Sequence, residues 1–175
     1  QQEGASGGTR STLRFYGDDS RSEVQLDPAG NIYVAAQSKS RNFPKTAGTF
    51  QPNPRGGQDG VVIKINPTCT SVLWASFIGG ATDDGAFVIG VQPGTNDIYV
   101  AGATTSDDVS FYNTTGALHP TYLGGITDAF MARIANNGTQ LLKWTYLGTP
   151  NFDAVYGIQF DRNGIPYIMG TSQGS

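Results

Sequence analysis

The sequence predicts an all-β chain built from repeated four-stranded antiparallel sheets. Three observations carry this: short apolar runs bounded by turn residues with no sustained helical spacing, a composition rich in Gly and poor in charge, and recurrence of the same markers at a nearly constant offset. The chain has 24 Gly among 175 residues and 14% charged residues, against the roughly 25% charge of an average soluble domain. Such a composition makes many tight turns between weakly charged surfaces.

The recurrence is visible by eye. "NDIYVAGATTS" (Asn96 to Ser106) has an earlier near-copy, "GNIYVAAQSKS" (Gly30 to Ser40), and a looser later one, "GIPYIMGTSQGS" (Gly164 to Ser175). Tyr33, Tyr99 and Tyr167 lie 66 and 68 residues apart, and Asp59/Asp128, Gly79/Gly148 and Asp84/Asp153 are each 69 apart. Each unit spells four strands in order. "GAFVIGV" (Gly85 to Val91) and "AVYGIQF" (Ala154 to Phe160) are first strands; Asp-x-x-Gly turns at Asp27 and Asp161 lead into the tyrosine strand. In those turns the Asp side chain caps amides and Gly accepts positive φ. After a loop of about twenty residues come "DGVVIKI" (Asp59 to Ile65) and "DAFMARI" (Asp128 to Ile134), a polar turn, and then "VLWASFIGG" and "LLKWTYLGT". Strands apolar on both faces fit a sheet stacked between two similar sheets, which is the arrangement of β-propeller blades. An open sandwich is the alternative, but it has no reason to hold a 69-residue register.

The units divide the chain into an N-terminal extension (1–11), a first repeat (12–78), a second (79–147) and a partial third (148–175). About two and a half repeats do not close a ring, which takes roughly four to eight blades, and a six- to eight-bladed one is expected here. The chain is therefore expected to be part of a larger propeller or to be completed by neighbouring chains. No apolar run approaches the roughly 18 residues of a membrane helix. A net charge of −3 without a basic stripe argues against nucleic acid as a partner. A single cysteine, Cys69, excludes an internal disulfide framework.

Together "FIGGATDDGAF", "NIYVAAQSKSRNFPKTAGTFQ" and "GGITDAFMARI" resemble the SBBP β-propeller repeat, over nearly the whole chain from Thr12 onward. Departures are Ala36 where Gly is usual, Tyr112 in place of the proline of Phe-Pro, and His119 in place of Gln. The resemblance implies a secreted or surface-attached bacterial propeller, often in proteins carrying sorting tails for a dedicated outer-membrane secretion route (type IX).

Candidate chemistry is judged by whether a residue recurs between units. Asp59, Asp128, Asp84 and Asp153 recur, as do Tyr33, Tyr99 and Tyr167, and are read as structural; Asp59 and Asp128 are expected to cap amides or to pair with Lys64 and Arg133. Trp74 and Trp144 lie 70 apart, one residue out of register, so that either a bulge compensates or the two rings face opposite sides. Asp107 and Asp108 fall in a two-residue insertion of the second long loop, which no repeat geometry demands. With Asp83 and Asp84 they offer oxygen ligands of the kind Ca²⁺ takes, although a solvated acidic loop is the preferred reading and no cofactor is expected. Tyr112, His119 and Tyr122 join Asp107 and Asp108 as candidates for contact with a partner.

The function expected is a non-catalytic module that presents loops to a protein or glycan at the cell surface. A polysaccharide-active enzyme with its catalytic groups outside this chain is the alternative. Strand polarity puts the long loops (Ser38 to Arg55, Thr105 to Thr121) on the same side as the connections Gly79 to Asp84 and Gly148 to Asp153, and that side is the expected functional one. Phe43, Phe50, Phe111, Tyr112 and Tyr122 supply its aromatic area, with Phe43 and Phe111 expected to tuck each loop against its own sheet.

Overall fold

The computed structural model describes residues 21–174; the expected extension over residues 1–11 and the start of the first repeat lie outside the described residues. Ten strands follow one another: β1 (Glu23–Leu26), β2 (Ile32–Ser38), β3 (Asp59–Ile65), β4 (Val72–Ile78), β5 (Asp84–Val91), β6 (Ile98–Thr104), β7 (Asp128–Ile134), β8 (Leu141–Leu147), β9 (Asp153–Phe160) and β10 (Pro166–Ser172). They pair antiparallel with their chain neighbours into two four-stranded sheets, β1 to β4 and β5 to β8, and a two-stranded sheet of β9 and β10. Among the described residues the one helical element is a 3₁₀ turn at Val109–Phe111, and no helix is long and apolar enough to cross a membrane.

The three tyrosines occupy equivalent places. Tyr33 lies opposite Gln25 and Lys64, Tyr99 opposite Gly90 and Arg133, and Tyr167 opposite Gln159. Both Asp-x-x-Gly turns are capped alike: Asp27 Oδ1 accepts from the amides of Ala29 and Asn31 at 2.9 Å, and Asp161 Oδ1 from those of Asn163 and Ile165 at 2.8 Å. The tryptophans face opposite sides of their sheets. The third and fourth strands shift register at the same point in both repeats, between Lys64 and Ile65 and between Arg133 and Ile134. The bulge is therefore shared and compensates nothing. Trp74 sits opposite Lys64 and Trp144 opposite Ala132, which puts their rings on opposite faces.

The second sheet is covered on both sides. One face, with Ile98, Val100, Phe130, Ala132 and Trp144, shares a core with Tyr33, Ala35, Val62 and Trp74 of the first sheet. The other, with Tyr99, Ala101, Ala103 and Ala129, packs on Ala154, Val155 and Ile158 of β9. This explains why β6 is buried along its whole length while β2 is not. Covering both faces removes the need for alternating polar residues, and each large aliphatic side chain buried this way contributes about 1.5–3 kcal/mol.

Close approach dictates one recurring glycine. A Cβ on Gly102 would lie 1.9 Å from the carbonyl oxygen of Gly85, and one on Gly170 would lie 2.2 Å from that of Ala154. At these points the first strand bulges over the second, as the register shifts at Ala86/Val88 and Met169/Gly170 record. Ala36 stands in the same place of the first repeat, where the described pairing of β1 reaches Ala35.

The long loops do not stay on one side of the sheets. Residues 46–51 run parallel to β4, with Thr46 N–H donating to Ala75 O and Phe77 N–H to Gln51 O. Residues 113–119 run likewise beside β8, joined by Trp144 N–H to Asn113 O and Tyr146 N–H to His119 O. Each loop thus shields the outer edge of its own fourth strand, an edge that would otherwise template association.

The expected ion pairs at the start of β3 and β7 are corrected. Asp59 accepts from the amides of Arg55 and Gly56 at 3.1–3.2 Å, and Asp128 from that of Leu123. Lys64 is five residues farther along its strand, about 16 Å at 3.3 Å per residue, and it meets Asn136 Oδ1 at 2.8 Å and Asp27 at 4.0 Å instead. Arg133 pairs with Asp97 at 2.6 Å.

Candidate functional site

The connection between the first and second sheets is densely hydrogen-bonded. Gly79 has φ +151° and leaves room for the carboxyl of Asp84, which a Cβ there would strike at 2.4 Å; Gly148 and Asp153 repeat the arrangement. Asp84 is fully buried. It accepts from the amide of Gly80 at 2.8 Å, from Ser106 Oγ at 3.0 Å and from Thr104 Oγ1. Around it Thr82 N–H donates to Ser106 Oγ and Asp83 N–H to Thr105 Oγ1, while Asp83 Oδ1 accepts from the Gln58 amide.

Burial pushes the Asp84 carboxyl up to about 8, against the opposing effect of its hydrogen bonds. A folded-state pKa raised above the ordinary 3.8 favours the protonated form. The resulting stability is fully present below pH 4 and is lost as pH rises through about 8. The thermal midpoint is therefore expected to fall between pH 5 and 9, and Asp84→Asn to flatten that fall, as scanning calorimetry across the range would record. A slope unchanged by the substitution would mean that Asp84 is ionised in the folded chain.

The structure distributes the five candidate contact residues differently from one another. Asp107 is exposed. Asp108 is not a free loop carboxylate, because its Oδ1 accepts from the Ala81 amide at 2.9 Å and ties the second long loop to the connection between sheets. Tyr112 is likewise corrected: only 6% exposed, it stacks obliquely on Trp144 at 5.1 Å. Its hydroxyl donates to Gln51 Oε1 and accepts from Gly79 N–H at 3.0 Å, so it serves the core of the first repeat. His119 is half-buried and does through its backbone what Gln51 does: their amides donate to Thr145 Oγ1 and Ser76 Oγ at 3.1 Å. Tyr122 packs edge-on against Tyr146 at 5.7 Å. Among the described residues no group of three or more His, Cys, Asp and Glu is arranged to hold a metal ion, and Asp83, Asp84 and Asp108 each accept from backbone amides.

A concavity of about 330 Å³ opens where the loop of the first repeat meets that of the second. Phe50, Phe111 and Leu142 supply apolar wall, and Asn113, Thr139 and Gln140 supply amides and a hydroxyl; no charged side chain lines it. Phe43 packs on Phe77 of its own sheet, whereas Phe111 does not tuck in. It is 42% exposed, with the Arg55 guanidinium 3.6 Å from its ring centre. Thr139 and Gln140 come from the short turn before β8, on the side that strand polarity assigns to tight turns. They reach the concavity because Phe50 N–H bonds the carbonyl of Gly138 at 3.0 Å, drawing the first loop down to that turn. Thr139 recurs as Thr70 and reads as a structural turn residue, while Gln140, with Ser71 in its place in the first repeat, carries no mark in the sequence.

Comparison with known proteins identifies no relative: no family model matches the chain, and no curated protein matches it.

Proposed function

We propose that the chain is a non-catalytic, SBBP-type β-propeller segment of a bacterial surface or secreted protein, and that it binds a neutral glycan in the concavity beside Phe111. The observation that carries this reading is the lining itself. An exposed aromatic ring stands beside Asn113, Thr139 and Gln140, and the one charge at the site is the Arg55 guanidinium stacked on that ring, outside the lining of the concavity. Sugars are bound by this pairing of an apolar ring face with fixed amide and hydroxyl groups. The propeller reading is supported by the two four-stranded antiparallel sheets packed face to face in sequence order and by their matched registers.

Calorimetric titration of neutral oligosaccharides, chosen by a glycan-array screen, tests the site. Phe111→Ala and Gln140→Ala lie at exposed positions and are expected to leave the fold intact. Each is expected to weaken binding about tenfold, the equivalent of roughly 1.4 kcal/mol. Unaltered affinity in both variants, or an array on which no neutral glycan binds, would remove the proposal. Hydrolysis of a bound polysaccharide would instead favour the enzyme reading.

A further inference from the structure

We infer that the fold carries out one acyl transfer on itself: Lys64 Nζ of the first repeat attacks the side-chain amide of Asn136 in the second, and an isopeptide bond joins the two repeats. Register and turn geometry bring these groups together. Lys64 lies opposite Tyr33 and Trp74, on the face of the first sheet turned to the second, with its Nζ 5.0 Å from the centre of the Tyr33 ring. Asn136 follows β7 and reaches back across the boundary between the repeats. Its backbone carbonyl accepts from the Trp74 indole N–H at 2.9 Å, and its side-chain Nδ2 donates to Asn96 O at 2.7 Å and to the Tyr33 hydroxyl at 2.9 Å. The amide so held turns its oxygen to Lys64 Nζ, 2.8 Å away. The carbonyl carbon is one bond beyond that oxygen, so a small rotation of the lysine brings the nitrogen to the roughly 3–3.5 Å from which attack proceeds.

The reaction needs one proton taken from the lysine and one given to the departing nitrogen, and Asp27 stands where both pass. Its Oδ2 is 4.0 Å from Lys64 Nζ and accepts from the Tyr33 hydroxyl at 3.1 Å, the same hydroxyl that accepts from Asn136 Nδ2. Asp27 takes a proton from the lysine ammonium, and the free amine adds to Cγ of Asn136. The bond from Cγ to Nδ2 then breaks as Asp27 returns the proton to Nδ2 through the Tyr33 hydroxyl. Ammonia departs and carries away the second proton of the attacking nitrogen as ammonium. A lysine ammonium and an amide are consumed, a substituted amide and ammonium are formed, and no oxidant or further reactant is used. Burial holds the Lys64 ammonium below its ordinary pKa against the opposing pull of Asp27, which eases the first transfer. The second repeat does not repeat the chemistry. Arg133 stands in the place of Lys64 and pairs with Asp97 at 2.6 Å, and a guanidinium keeps its proton. The bond therefore forms once, between residues 72 apart, and fastens the first sheet to the second.

Mass spectrometry of the denatured full chain tests the inference. The wild type is expected to weigh less than its sequence by one ammonia. In its tryptic digest the free peptide 134–143 is expected to be lost and to appear joined to the segment that carries Lys64, uncleaved at that lysine. Lys64→Arg, which keeps the charge, is expected to leave peptide 134–143 free. Asp27→Asn retains a carbonyl to cap its turn but no base. In chain translated in vitro and sampled over time, it is expected to slow the joining about a hundredfold. Because the joined peptides are observed directly in the wild type, the test does not depend on how well either variant folds. A wild type with no ammonia lost, a loss of ammonia with the two peptides still separate, or joining in Asp27→Asn at the wild-type rate would overturn the inference. None of these readouts involves the glycan site, so the two proposals fail separately.

Discussion

Trp144→Ala is expected to lower the unfolding free energy by about 3–5 kcal/mol, the cost of removing a large aromatic from a core that cannot collapse onto the vacancy. Trp144 is fully buried. Its ring lies flat on Phe130 at 4.4 Å and 6°, with Tyr112 at 5.1 Å and Tyr146 edge-on at 5.8 Å. Three aromatics held by the strands and by the second loop leave nothing free to move into the space. A loss of this size is a large share of the 5–15 kcal/mol that holds a typical domain together. Urea unfolding followed by far-ultraviolet dichroism would record it as a lower midpoint with an unchanged slope. A loss below about 1 kcal/mol would mean that the aromatic cluster is not a packing centre.

Gly102→Ala is expected to cost about 3 kcal/mol, at the upper end for overpacking, although it adds only one methyl group. The obstacle is the carbonyl oxygen of Gly85 at 1.9 Å from the added Cβ, and backbone of a paired strand yields less readily than a side-chain tip. The control is Ala36→Gly in the equivalent place, where β2 carries an alanine and the described pairing of β1 reaches Ala35. That change is expected to cost only the roughly 0.5–1 kcal/mol of added backbone freedom. Comparing the two midpoints in one unfolding assay isolates the bulge. Equal effects would show that the close approach at Gly102 relaxes freely.

The repeated strands were legible because a buried strand marks itself in sequence. "IYV" recurs with its tyrosine in the same register, and the carboxylates at Asp59, Asp84, Asp128 and Asp153 recur because the turns they serve recur. The path of the long loops was not legible. Most of their bonds to β4 and β8 run through backbone groups that every residue possesses, and the hydroxyls that also take part, Ser76 and Thr145, read in the sequence as ordinary strand residues. Tyr112 misled for a related reason. It varies between units because its partner Gln51 belongs to the preceding repeat, and a contact across repeats looks in sequence like a free surface choice. Asp108 misled for a different reason, its insertion having created a clamp to Ala81 within the same repeat.

The tie between Tyr112 and Gly79 also sets the grain of the molecule's dynamics. A side chain from the second repeat bonds both Gln51 of the first and the Gly79 amide at the boundary between them, so the period of the sequence and the cooperative unit of opening are out of phase. Neither repeat can fray independently at that seam. Loosening the second loop releases Gln51 and Gly79 together, exposing a buried acceptor in the first long loop and a buried donor at the boundary between the repeats. Neighbouring repeats thus melt as one block, and a duplication or excision made at the sequence boundary would cut through that block instead of between two.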